Sequence, residues 1–195
     1  MKKLFLPLMA GLLLTGAATA QTKWSVDAAH SNVKFSITHM VVSEIEGSFR
    51  GFEGIVVAPE ANFNNASVEF SVKTATVFTD NDQRDAHLKG DDFFNAEKFP
   101  NMTFKSTSFK KAADNKYTLT GNLTIRDVTK PITFEVTYGG TAKDPWGNTK
   151  AGFKAKSAIK RLDYGLKWNT LTEAGGMVVG DEVGILLNIE LLQAK

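Results

Sequence analysis

Along most of this chain an apolar side chain is followed by a polar one and then by another apolar one. Val183, Ile185, Leu187, Ile189 and Leu191 hold every second place without a break, and Val33, Phe35, Ile37 and His39 do the same near the start. Successive side chains of an extended strand point to opposite faces, so a period of two dictates strands with one covered face and one wet face. The pattern recurs in Val68, Phe70 and Val72, in Met102 and Phe104, and in Tyr117, Leu119, Leu123 and Ile125. It returns in Ile132, Phe134, Val136 and Tyr138 and again in Phe153, Ala155, Ser157 and Ile159, while a run beginning near Phe49 ends on Ile55 and Val57. About eight strands follow, joined mostly by short polar turns such as 113–115 and 145–148. Antiparallel strands with short links make a sandwich or an up-and-down barrel. Glycines inside strand runs (Gly51, Gly54, Gly121, Gly152 and Gly184) favour the barrel, because closing a sheet requires bends, bulges and close backbone approaches.

The alternation fails at 79–106. Asp80 and Gln83 read as an N-cap with its capping-box partner, Asp85 and Lys89 are spaced i,i+4, and Gly90 fits a left-handed helix stop. A second turn carries Phe93 and Phe94, and Phe99 before Pro100 ends it. A mainly β chain is thus expected to carry a short helical insertion around 80–98, placed to plug or lid something. The other irregular stretch, 163–181, holds Trp168, Leu171 and a Gly175-Gly176 pair, and is long for a hairpin loop.

Residues 1–20 read as a cleaved export signal: Lys2 and Lys3, an apolar segment, then Ala18-Thr19-Ala20. The apolar segment falls well short of the ~20 residues that span a bilayer. Export to the periplasm or outside the cell is therefore expected, with 21–195 forming a single barrel domain. Loss of two lysines leaves basic and acidic residues in balance, so the charge gives no pull toward nucleic acid. With no cysteine in the chain, thiol chemistry and thiolate metal sites are excluded.

An eight-stranded barrel is just wide enough to be filled by side chains or to hold one slender ligand. Fourteen phenylalanines against three tyrosines is a bias toward rings without a polar handle, which suits a lumen for hydrocarbon. A filled core is the commoner state of an apolar strand face. His30, His39 and His87 lack the spacing of a helical metal pair, and His39 beside Phe35 and Ile37 reads as a hydrogen-bonded interior residue. There is no G-x-S-x-G elbow and no phosphate-binding glycine loop, and the adjacent Asp91 and Asp92 read as solvated caps rather than an acid/base pair. Neither a catalytic set, a metal site nor a cofactor site is expected.

Six fragments in order carry a resemblance: W-S-V-D-A-A-H-S-N-V-K-F at 24–35, R-D-A-H-L-K-G-D-D-F-F at 84–94, F-P-N-M-T-F-K-S at 99–106, G-N-L-T-I-R-D-V-T-K-P at 121–131, K-R-L-D-Y-G-L at 160–166 and V-G-D-E-V at 179–183. The chain resembles the YceI-like family of periplasmic polyisoprenoid-binding proteins. Asp127 stands where the family pattern has glycine in a hairpin turn. The resemblance implies a lipocalin-like eight-stranded barrel with a helical insertion, no catalytic residues, and a long isoprenoid or similar lipid, polyprenyl or quinone-type, held in the lumen. It also implies a membrane redox protein as a partner of some members, and a homodimer is a further expectation. The alternative is a non-carrier interaction or stress-response domain with a filled core.

Strand parity assigns the ligand-facing set: Phe35, Ile37, Phe70, Phe104, Leu119, Leu123, Phe134, Val136, Phe153, Ile185 and Leu187, joined by Phe93, Phe94 and Trp168 from the irregular stretches. His39, Arg84, Asp85 and His87 form a cluster that either meets a lipid headgroup at the mouth or docks the helix on the rim. Arg126 with Asp127, and Arg161 with Asp163, read as turn and rim pairs.

Overall fold

The computed structural model describes residues 21–171 and 175–195; the expected export signal lies outside them. The strands are β1 (Thr22–Val26), β2 (Asn32–His39), β3 (Ser43–Phe49), β4 (Phe52–Ala58), β5 (Ser67–Lys73), β6 (Val77–Phe78), β7 (Asn101–Ala113), β8 (Lys116–Ile125), β9 (Val128–Lys143), β10 (Thr149–Lys160) and β11 (Val179–Gln193). One α-helix, α1 (Asp82–Lys89), lies between β6 and β7.

Eleven strand segments make eight staves. β1 continues into β2 through a 3-10 turn at Ala28–His30, β3 into β4 across Arg50-Gly51, and β5 into β6 through Thr74–Thr76. With these pairs joined, every neighbouring stave is antiparallel, and β11 closes the ring by pairing with β1 at Trp24↔Gln193 and with β2 at Ile185↔Phe35. The result is a closed, antiparallel, eight-stranded barrel.

The kinks alter the expected faces. Val26 and Val33, Phe49 and Val56, and Val72 and Val77 all pack in the core, so parity switches across each break. On β4 the inward residues are therefore Gly54, Val56 and Ala58, whereas Ile55, assigned to the covered face by parity, is 42% exposed. A bulge that puts Thr107 out of register with β8 makes the same switch on β7, from Phe104 to Phe109. An extra residue in one strand turns every later side chain to the opposite face.

All the strand ends nearest α1 gather at one rim. There lie the β2–β3 hairpin, the insertion 79–100, the β8–β9 turn and the connection from β10 to β11. The opposite rim holds the start of β1, the 59–66 loop, two further hairpin turns and the end of β11.

Candidate functional site

Six rings fill the barrel at the rim away from α1. Phe63, fully buried on a left-handed backbone (φ 63°), comes up from the 59–66 loop between Trp24, Tyr138 and Phe153, at centroid distances of 5.1, 5.6 and 5.0 Å. Phe109 and Tyr117 continue the cluster, 5.0 Å apart. The Tyr117 hydroxyl donates to the Asn62 carbonyl at 2.6 Å, so the one polar tip that faces the loop also ties it down. Burial raises the pKa of this phenol, with Tyr138 and Glu60 adding to the effect.

Beside this plug a polar clasp holds the seam. Lys150 bonds Asp27 and also lies 3.1 Å from Glu190, while Asp27 caps the Ala28–His30 turn and accepts from His30 at 3.0 Å. The Lys150 and then the His30 hydrogen bonds hold the Asp27 carboxyl down at about 2, against an ordinary 3.8. Asp27, His30 and Glu190 approach as three metal ligands would, but the Lys150 ammonium already supplies the cation among them.

Above the plug the lumen is hollow, with a cavity of about 570 Å³. Its wall contains the whole parity-assigned set: Phe35 and Ile37 on β2, Phe70 on β5, Phe104 on β7, Leu119 and Leu123 on β8, Phe134 and Val136 on β9, Phe153 on β10, and Ile185 and Leu187 on β11. Phe93, Phe94 and Trp168 line it from the insertion and the connection. Other lining residues stood outside the assigned set, among them Phe49 at the end of β3, Phe109 beyond the β7 switch, and Leu166 and Val178, which belong to no strand. Among the described residues no buried side-chain nitrogen or oxygen lacks a hydrogen-bond partner. The wall therefore offers a ligand hydrocarbon contact and few polar hooks.

The insertion supplies part of the cavity's polar fringe: Asn81, Gln83, Arg84 and His87 line it, and all but Arg84 are exposed. The helix starts one residue later than its capping pattern predicts. Asn81, not Asp80, accepts from the Arg84 amide, while Asp80 takes a left-handed backbone (φ 61°). Gly90 ends the helix in an extended conformation (φ −74°, ψ 178°) rather than a left-handed one. The helix itself is polar, with Ala86 and Leu88 its only apolar side chains; the large rings sit in the turns after it.

The expected ionic cluster divides. Asp85, 6% exposed, accepts from the amide and hydroxyl of Thr79 at 2.8 and 2.6 Å. Arg84 donates to the same hydroxyl and to the Thr79 carbonyl. Both side chains thus fasten the start of the insertion to β6, and only Arg84 also borders the cavity. His87 turns the other way, bonding Asp92 at 2.9 Å and setting its ring edge-on to Phe93 and Trp168. His39 borders the cavity from the end of β2.

Two arginines anchor the rim differently from the expected pairs. Arg126 carries the left-handed turn backbone (φ 56°) in place of Asp127 and reaches Asp91, the Asp91 and Phe93 carbonyls and the Gly165 carbonyl. Arg161, 2% exposed, donates to the carbonyls of Leu166, Gly180, Trp168 and Val179, while Asp163 pairs with Lys130 instead. Burial lowers the Arg161 pKa, with nearby Asp181 opposing the shift. A guanidinium's fork of donors lets one buried side chain organise a connection that has no strand of its own.

The pattern that defines the YceI-like domain matches residues 24–191. The chain belongs to the YceI-like family. Protein YceI of Salmonella newport is 37% identical over 189 residues, 96% of this chain and 95% of that protein. Among solved structures, BcnA of Burkholderia cenocepacia matches with a TM-score of 0.74 at 26% identity, covering 85% of this chain and 98% of that one. The Campylobacter jejuni YceI protein gives 0.69 at 32% identity, covering 87% and 96%. A polyisoprenoid binding domain from Saccharophagus degradans has the same fold, at a TM-score of 0.65 and 15% identity, over 88% and 98%. The plug, the hollow lumen and the helical rim are thus features of one YceI-like barrel.

Proposed function

We propose that this YceI-like protein is an exported carrier that holds a long isoprenoid or similar lipid in its lumen and performs no catalysis. The observation that carries this reading is the apolar cavity of about 570 Å³ between the ring plug and α1. A filled core would have needed the rings to meet along the axis, so the cavity favours the carrier over the interaction-domain alternative. The polyisoprenoid binding domain from Saccharophagus degradans shares the fold and supports the choice of cargo, and the apolar segment at 1–20 supports export.

A buried methylene contributes roughly 0.8 kcal/mol, so each five-carbon isoprene unit offers on the order of 3 kcal/mol. A few units outweigh the ordering cost of binding. Affinity then comes from chain length inside the wall, and selection from lumen depth and from Arg84 and its neighbours at the polar fringe. Organic extraction and mass spectrometry of protein purified from its own host should yield a stoichiometric long-chain lipid. A lipid-free protein that also refuses added prenols would refute the reading. Phe134→Asp, which places an unpaired charge on the cavity wall, should abolish prenol uptake or folding, whereas Lys154→Asp on the exposed face of β10 should leave both unchanged.

A further inference from the structure

The β2–β3 hairpin turns through Met40, Val41 and Val42, between the paired His39 and Ser43, and Met40 and Val41 take a left-handed backbone at φ 52° and 65°. The Val42 amide donates to the His39 carbonyl at 3.2 Å across them. Asparagine and glycine accept positive φ at such turn positions, and a β-branched valine does not. The chain instead keeps methionine and valine there and exposes them: Met40 is 46%, Val41 73% and Val42 84% exposed. The turn is therefore poor as a turn and poor as a water-facing surface. Both costs fall on the same residues.

Its position gives it a use. The hairpin stands on the rim that carries α1, and His39, Thr38, Ile37 and Ile45 just below it line the cavity. The Met40 amide donates to the Val178 carbonyl at 2.8 Å, and the neighbouring Leu171, bridged to Met177, is 65% exposed. An apolar tip thus projects beside the entrance to an apolar lumen. A handful of side chains falls far short of the roughly 20–30 residues a side of a stable protein interface. Insertion into a bilayer needs no matching shape, only apolar groups on a projecting tip. β3 rises to the tip with Glu44 and Glu46 exposed, against one exposed lysine, Lys34, lower on β2, so an anionic surface would repel the tip.

We propose that the Met40-Val41-Val42 hairpin inserts into the interface of an electrically neutral lipid bilayer, bringing the cavity mouth to the membrane from which cargo is loaded or to which it is delivered. This rests on the lipid-carrier reading. Bilayer contact places the three side chains in hydrocarbon, where their exposure costs nothing and the lipid tail need not cross water to reach the lumen.

The test pairs Met40→Asn/Val41→Gly with the unaltered protein on phosphatidylcholine vesicles. The double variant should float with vesicles roughly tenfold less, and its thermal midpoint should rise as the turn takes its preferred residues. Val42→Asp, at a position with ordinary backbone, should lose flotation as well. Adding phosphatidylglycerol to the vesicles should weaken binding of the unaltered protein. Equal flotation of all three proteins, or none by the unaltered one, would overturn the proposal. So would a concentration-dependent dimer that the double variant abolishes, which would make a second copy the occupant of the tip. Equilibrium uptake of a fluorescent prenol from solution should be the same in every variant. Absence of uptake throughout, with flotation intact, would reject the carrier reading while supporting the docking.

Discussion

Aromatic rings shape this lumen by lying across glycines. A Cβ on Gly121 would stand 2.5 Å from the Phe104 ring and 2.5 Å from the Lys105 carbonyl, and one on Gly54 would meet the Phe70 ring at 2.6 Å. In a barrel this narrow, removing a side chain from one stave is what lets the next stave's ring turn flat against the wall. Gly121→Ala should therefore cost about 2 kcal/mol in urea unfolding, since the backbone oxygen cannot move aside. Asp27 makes a different demand. Its folded carboxyl titrates at about 2 against an ordinary 3.8, so its contribution is fully present above pH 4 and is lost as the pH falls through 2. Asp27→Asn should remove about 1 kcal/mol at neutral pH, allowing for solvent screening, and should flatten the decline in stability between pH 4 and pH 2. Unfolding curves across that range would check both.

At the scale of elements, legibility followed continuity. β8 runs unbroken and β11 does so from Val183 on, so Leu119, Leu123 and Ile125, and every second residue from Val183 to Leu191, line the cavity as the alternation foretold. β3 and β4 read as one run in the sequence; Gly51 marks a bend there, but residue type does not say that Arg50-Gly51 switches the parity. Ile55 was misplaced for that reason, whereas Phe49, ahead of the switch, is buried as its place at the head of the run implies. The rim was harder still, because its partners are long-range. Arg126 lies next to Asp127 in sequence, yet its guanidinium binds Asp91 and the Phe93 and Gly165 carbonyls, joining a hairpin turn, the helical insertion and the β10–β11 connection. Arg126→Met keeps the apolar stem and removes the fork. It should cost the barrel about 1–2 kcal/mol, two of the four lost bonds being solvent-exposed and two part-buried, while speeding amide exchange in 91–95 and release of a bound prenol. Unchanged exchange there would mean that Thr79, Arg84 and Asp85 alone hold the insertion.

The molecule as a whole is a cup rather than a tube. Rings close one end, α1 and two loops frame the other, and the cavity lies between. The closed end depends on Phe63, which arrives on a loop and reaches the axis only through a left-handed backbone. A plug carried by a loop leaves the strand pairing of the staves intact when its ring is removed, though the staves lose the packing of that ring. Phe63→Ala should lower unfolding stability by about 3–5 kcal/mol, as expected for a buried ring. Phe63→Leu should recover most of that loss, because it refills the space between Trp24 and Phe153. The release rate of a fluorescent prenol distinguishes a plug from a mere packing residue. In a cup, Phe63→Ala opens a second exit and release accelerates well beyond the change caused by an equally destabilising substitution outside the plug. If the two variants release at the same rate, exchange runs only past α1, and the rings at the far end serve stability alone.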